Sequence, residues 1–338
     1  MSQLLIVTMH LLKVVRPICR QSRALFSTAQ VNFEKLSNCA KEPSLNDSKS
    51  SKVELDASVS NKICLGGSKC DLEAMRESAI NGTITAEAYL KSNHFAFQEN
   101  SRAKAMAMIG EAISLVSPRT KPMISIDCES HEISQSKITE VGISILKAST
   151  FNTMLPMIKP MHIIIKENIK RTNHKFVPNN KNYFSNGVSY LMTKKTAAKF
   201  IKLLLDKYLF DLEGIFVGHA IEQDIKYLEK LGVKLSEPFH RIDTFKLHRL
   251  SRSKGGSLAS CLKSMDIPHA YLHNAGNDAY YTLLLALAYC DPATRILKNL
   301  DQYTEVVGNG KKKKIINDKS DLVVVDDVEE LLAGLDRW

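Results

Sequence analysis

Ile124-Ser-Ile-Asp-Cys-Glu129 is the stretch that decides the fold. Apolar and small residues alternate and then end in acids, which reads as a strand carrying its chemistry at its tip. Residues two apart on a strand point to one face, so Asp127 and Glu129 share a side while Cys128 turns to the core. Two further patches stand downstream. Val217-Gly-His-Ala-Ile-Glu-Gln-Asp224 puts an acid a few residues after a short apolar run, and His273-Asn-Ala-Gly-Asn-Asp278 puts an imidazole and a fourth carboxylate at a helix start.

Met123-Ile-Ser-Ile-Asp127, Val141-Gly-Ile-Ser-Ile-Leu146 and Met161-His-Ile-Ile-Ile165 read as three successive strands. Residues 168–187 are a polar loop or small excursion. Residues 193–209 predict a helix capped by Thr193, with Ala197, Phe200, Ile201, Leu204 and Leu205 on its apolar face. A buried strand at 215–218, a helix over 221–231 stopped by Gly232, and a last strand from Arg241 follow. Helices over 258–265 and 277–289 complete a core spanning 122–291. This order predicts an α/β fold, a mixed five-stranded sheet flanked by helices, with antiparallel strands first and crossovers later. Ligands of such sheets sit beyond the strand ends, at a switch point.

The flanks differ in character. Residues 1–33 hold Lys13, Arg16, Arg20 and Arg23 and no acid, the composition of a mitochondrial presequence or of a basic N-terminal segment. Residues 34–62 are rich in Ser, Lys, Asn and Asp and read as a disordered linker. Residues 63–121 predict two or three helices, an accessory N-terminal extension. Residues 292–338 read as a second disordered tail. Its basic run Lys311–Lys314 suits a nuclear signal or nonspecific phosphate binding. Its segment 321–327, an apolar triplet fenced by acids, suits addition to a partner's sheet edge, and 329–338 a short amphipathic helix. Seven scattered cysteines without a Cys-x-x-Cys pair argue against a disulfide framework and a cysteine zinc site. No apolar run reaches the roughly 18 residues of a membrane helix. The net charge of +10 fits a polyanionic partner.

Asp-x-Glu alone is common, and an isolated His-x₄-Asp is usually a helix N-terminus. The ordered set, each member at a strand or helix end, is far more specific. Four carboxylates suit two hard divalent ions, Mg²⁺ or Mn²⁺, about 3.5–4 Å apart, for an in-line displacement at phosphorus. Asp127 is the candidate to bridge the ions, with Glu129 and Asp278 completing one and Asp224 the other. His273 suits the general base, because its pKa lies near the working pH.

The three patches resemble the DEDDh 3′–5′ exonucleases of the ribonuclease-H-like superfamily. Asp127-Cys-Glu129, Val217-Gly-His-Ala and Asp278-Ala look most like the RNA exonuclease branch. His273-Asn-Ala-Gly-Asn-Asp-Ala-Tyr-Tyr-Thr282 is similar to a little-characterised fungal group named for supporting full activity of a DEAD-box helicase in mRNA export. The resemblance covers about 123–289. It implies a ribonuclease-H-like fold, a two-metal mechanism and the five roles above. Many members carry Asn where Ala220 stands, and an aromatic residue or Leu where Gln223 stands; these positions help place the strand.

The expected activity is metal-dependent 3′–5′ exonucleolysis of single-stranded RNA or short oligonucleotides. The alternative is a catalytically weak nucleic-acid-binding adaptor on the same fold. Lys246, His248, Arg249, Arg252 and Lys254 cluster beyond the last strand as candidate phosphate contacts, and Tyr183, Phe184 and Tyr190 as stackers. The expected partners are nucleic acid and, through the C-terminal tail, a protein. The expected location is mitochondrial, with nuclear or dual location as the alternative.

Overall fold

In a computed structural model of the chain, residues 67–150 and 157–305 are described. The readings made above for 1–33, 34–62 and the tail beyond 305 lie outside them. Strand β1 (Met123–His131) pairs antiparallel with β2 (Ser134–Leu146), and β2 antiparallel with β3 (Ile158–Ile165). Strand β5 (Ile215–Gly218) runs parallel to β1, and β6 (His240–Asp243) parallel to β5. A sixth strand, β4 (Ser189–Met192), lies parallel on the outer edge of β3, giving the order β4-β3-β2-β1-β5-β6. The sheet is thus ribonuclease-H-like and mixed, with six strands where five were expected. Four residues long and mostly solvent-exposed, β4 has no buried face to leave a period-two signature.

Helices cover both faces. On one side α4 (Lys194–Leu205), capped by the Thr193 hydroxyl, and α5 (Ile221–Leu231) pack Ile201, Leu204, Ile221 and Leu228 against Ile124, Ile126 and Cys128. On the other, α8 (Ala275–Cys290) packs Leu283, Leu285 and Ala286 near Met123, Val217 and Ile242, beside α6 (Thr244–Ser251) and α7 (Leu258–Ser264). Alternation along β1 therefore sends its isoleucines to one core, and its acids to the α8 face.

The N-terminal helices α1 (Lys69–Ile80), α2 (Ala86–Lys91) and α3 (Arg102–Val116) form a third cluster around Tyr89, Phe95, Phe97, Ile109 and Ile113. That cluster includes Ile296 of α9 (Pro292–Leu297). Residues 292–305, expected to begin the tail, are instead part of the packed body. Arg295 is 2% exposed and donates to Asp301 Oδ1 from Nε (3.0 Å) and Nη2 (2.7 Å), and from Nε to Tyr89 Oη (2.7 Å). Tyr89 donates to Asp301 Oδ2 (2.7 Å), which also faces His94 Nε2 at 3.0 Å. A buried ion pair of this kind leaves no signature in hydropathy, which is why the sequence reading ended the core at 291.

Candidate active site

The site sits where β1 ends. A β-bulge follows Glu129, where the β1–β2 register shifts, and such irregularities re-aim side chains beside functional sites. Asp127 lies opposite Gly142 and Glu129 opposite Glu140 on β2. Gly142 is required there, because a methyl group on it would overlap the Ala275 carbonyl. Its missing side chain lets the N-terminus of α8 lie directly on the sheet, and α8 brings Asp278.

Asp224, in the first turn of α5, is buried and accepts from the backbone N–H of Cys128 at 3.1 Å, which ties it between Asp127 and Glu129. Asp278 Oδ2 accepts from the His273 backbone N–H at 2.9 Å. That bond closes the loop preceding α8, in which His273 has φ 64°. His273 Nδ1 stands 3.6 Å from Glu129 Oε1, and its side chain is 44% exposed. Ligand atoms of Glu129, His273 and Asp278 all lie within 4.8 Å of one another. The five residues singled out in the sequence thus stand in one place, contributed by β1, α5, the loop before α8, and α8.

Their electrostatics are those of crowded acids. Burial, and then the charges of Asp224, Asp278, Glu129 and Glu140, hold the Asp127 carboxyl well above the ordinary range. Burial likewise raises Asp224, against the pull of the Cys128 N–H. Burial and Glu129 raise Asp278, and burial raises Glu129 against the hydrogen bond from His273. Asp127 Oδ2 and Asp278 Oδ1 are buried and have no hydrogen-bond partner. Partnerless buried carboxylate oxygens are costly. Two of them beside Glu129 and Asp224 make a donor set that fits hard divalent cations.

Around this set stand residues that the sequence reading passed over. Glu140, 4% exposed, faces His162 Nε2 at 3.0 Å, and His162 Nδ1 faces Ser189 Oγ at 2.8 Å. The Ala275 N–H reaches Glu140 Oε2 at 3.4 Å. An acid inside the apolar run 138–146 was the available signal. Asn274 caps α8 with its side-chain oxygen and donates from Nδ2 to the carbonyls of Asn180 and Lys181. Asn277 Nδ2 donates to the carbonyls of Tyr183 and Tyr271. The excursion 168–187 is thereby stapled to the helix that carries Asp278.

The basic cluster at 246–254 is divided. His248 is buried, with Nδ1 at 3.0 Å from Tyr289 Oη, and so is a core residue rather than a phosphate contact. Arg252 donates to the backbone carbonyls of Ser251 and Gln302 and serves the packing of 299–304. Lys246 (paired with Glu222 and Asp243), Arg249 and Lys254 remain on the surface. Within helix α6, which ends at Ser251, His248 faces inward while Lys246 and Arg249 face out. His219, read as a structural turn residue, contacts Thr244 Oγ1 (2.8 Å) and the Gly256 carbonyl (2.5 Å).

Residues 122–289 match the family profile DEDDh_C, described as DNA polymerase III subunit epsilon-like, C-terminal domain. "Good for full DBP5 activity protein 2" of Saccharomyces cerevisiae is 34% identical over 255 residues, covering 67% of this chain and 43% of that protein. "Uncharacterized protein YDR514C" of the same yeast is 34% identical, with 54% and 43% covered. "Uncharacterized nucleolar protein C2C4.08" of Schizosaccharomyces pombe is 32% identical over 190 residues, covering 54% of this chain and 73% of that protein. The chain spans under half the length of the two budding-yeast relatives. Among solved structures, an exonuclease I aligns at 13% identity and TM-score 0.35, covering 50% of this chain and 40% of that one. The RNase domain of yeast Pop2 aligns at 13% and 0.32, covering 63% and 89%.

Proposed function

The chain belongs to the DEDDh exonuclease family, and from that premise we propose that it is a divalent-metal-dependent 3′–5′ exonuclease acting on single-stranded nucleic acid, with RNA favoured. The observation that carries this is the convergence of Asp127, Glu129, Asp224 and Asp278, two of them with partnerless buried oxygens, beside an exposed imidazole.

Asp127, Glu129, Asp224 and Asp278 would hold the ions, Mg²⁺ or Mn²⁺. When bound, two such ions offset the crowded negative charge, acidify water and stabilise the attacking and leaving oxygens of an in-line displacement. The chain's own residues do the rest. The Cys128 N–H keeps Asp224 aimed at the cluster. The bond from the His273 N–H to Asp278 fixes the loop, so the imidazole stands at the rim. There it takes the proton of the attacking water, and Glu129 at 3.6 Å stabilises the imidazolium that forms. Lys246, Arg249 and Lys254 are the members of the basic cluster left to meet phosphates. The nucleolar label of the S. pombe relative supports an RNA substrate and the nuclear reading of location over the mitochondrial one.

The test is a 5′-labelled single-stranded RNA and its DNA twin, with Mg²⁺, Mn²⁺ or EDTA. The expected outcome is a metal-dependent ladder shortening from the 3′ end, abolished by Asp127→Ala and slowed about 10²–10⁴-fold by His273→Ala. Binding without any ladder would move the reading to a noncatalytic adaptor. The absence of Asn at 220 and of an aromatic residue or Leu at 223 favours that second reading.

A further inference from the structure

We propose that the apolar groove between β2, β3 and α4 is the docking site of residues 328–338 of this chain, seated there as an amphipathic helix. The groove measures about 660 Å³. Ile145 of β2, Met161 of β3 and Leu204 of α4 form its apolar lining, with Phe200 and Tyr208 beside them. Met157 and Leu203 belong to the same lining and are 63% and 59% exposed. Large apolar side chains gathered in one open cleft mark a surface that something covers. The charged lining residues are Lys147, Lys159 and Lys207, all exposed, and among the described residues no acid lines the groove.

Charge and periodicity select the occupant. Val328, Leu331, Leu332 and Leu335 recur at i, i+3, i+4 and i+7, one face of a helix, and Trp338 continues the row. In that helix Glu329 and Asp336 border the apolar face on one side and Asp327 on the other. The acids would meet the lysines as the leucines fill the groove, the mode in which an amphipathic helix lies in an apolar cleft. From Asp326 to Trp338, Asp326, Asp327, Glu329, Glu330 and Asp336 stand against Arg337 alone. Other stretches outside the described residues do not answer the lysines. Residues 1–33 are basic, and 151–156, between the lining residues Thr150 and Met157, carry no charge. A helix as short as 328–338 is marginal alone in water, and the groove would supply its packing.

The connection is long enough. Residues 306–327 lie between Glu305 and Val328, and fully extended they span about 75 Å. A folded body of this size is about 45 Å across, so that length passes around it. The groove also lies away from the carboxylates. Ile158 of β3 stands across from Leu146 of β2, and Leu146 across from Met123, where β1 begins, whereas the acids stand towards the other end of β1. Docking therefore leaves the candidate active site open, and it does not depend on the exonuclease reading.

The experiment uses the full chain, without metal or nucleic acid, and reads the fluorescence of Trp338, its only tryptophan. Docked, Trp338 should emit to the blue of free tryptophan and resist quenching by acrylamide, equally at low and high protein concentration. Leu203→Glu, at an exposed position, should shift the emission to the red and open it to the quencher. Lys159→Glu with Lys207→Glu should do the same, and so should Leu331→Asp with Leu335→Asp. Adding Glu329→Lys and Asp336→Lys to the double lysine variant should bring the blue emission back, a rescue that a misfolded body could not give. An exposed Trp338 in the unaltered chain would overturn the proposal and leave the groove to another occupant, residues 151–156 included. Shielding that survives both Leu203→Glu and the double lysine variant would place Trp338 on another surface and overturn it as well. Shielding that appears only at high concentration, with a dimer in sedimentation, would give the groove to a second copy and overturn docking within one chain.

Discussion

Asp127 faces the like charges of Asp224, Asp278, Glu129 and Glu140. Its carboxyl is raised by burial first, and then by Asp224, Asp278 and Glu129. A raised folded pKa means that the folded chain holds this proton more tightly than the unfolded chain does. The stability so gained is full below the unfolded carboxylate pKa of about 3.9, and is lost as pH rises through the folded value. Metal-free protein should therefore lose stability from about pH 4 towards neutrality. Asp127→Asn removes one ionisable member and should flatten that slope while abolishing activity. Thermal unfolding in EDTA across this range, variant beside wild type, checks it; parallel slopes would mean that Asp127 ionises freely in the folded chain. At this scale the sequence was most legible, because Asp127, Glu129, Asp224, His273 and Asp278 carry their chemistry in residue type and order. Glu140 and His162 did not stand out, because a buried partner, and not the residue type, gives each its role.

Elements place these residues, and two positions test how. Ala220 starts α5 in the left-handed region, at φ 68°, with no side-chain cap, while its N–H donates to Asp243 Oδ1 at 3.1 Å. A non-glycine residue pays roughly 1–2 kcal/mol there, and Asn is among the few side chains that tolerate it. Ala220→Asn should therefore raise stability by about 1 kcal/mol in chemical denaturation; a loss would show that the side chain collides with the strand ends. Gly142 is the second position. Gly142→Ala forces β2 and the N-terminus of α8 apart, at an overpacking cost of about 1–3 kcal/mol. Because α8 carries Asp278, the melting shift produced by Mn²⁺ should shrink as well. An unchanged shift would mean that the helix slides without carrying its acid away. Helices α4, α5 and α8 were legible as apolar periodicity. Helix α6 was not, because its eight residues mix buried Leu247 and His248 with exposed Lys246 and Arg249.

At the scale of the whole molecule, the N-terminal helices and residues 292–305 are joined through Arg295, Asp301, Tyr89 and His94. Burial alone would raise the Asp301 carboxyl, but the Arg295 guanidinium, with hydrogen bonds from His94 and Tyr89, holds it below the ordinary range. Removing one partner of such a pair leaves an uncompensated buried charge, at about 3–5 kcal/mol. Asp301→Ala, or a chain ending at Leu300, should lose about that much relative to a chain ending at Glu305. Urea denaturation checks it, and a loss below about 1 kcal/mol would mean that the guanidinium finds water or another acceptor.

The sequence by itself determined the sheet's central strands, the faces of its main helices and the five residues that come together at the candidate site. Hydrophobic periodicity and residue chemistry are local properties that survive in a string of letters. Only the tertiary structure decided that an exposed edge strand completes the sheet, that His248 turns inward, that Arg295 and Asp301 close the body, and that Tyr183 meets Tyr271 beside His273. Each of these depends on a partner distant in sequence, and on burial that exists only once the chain has folded around it.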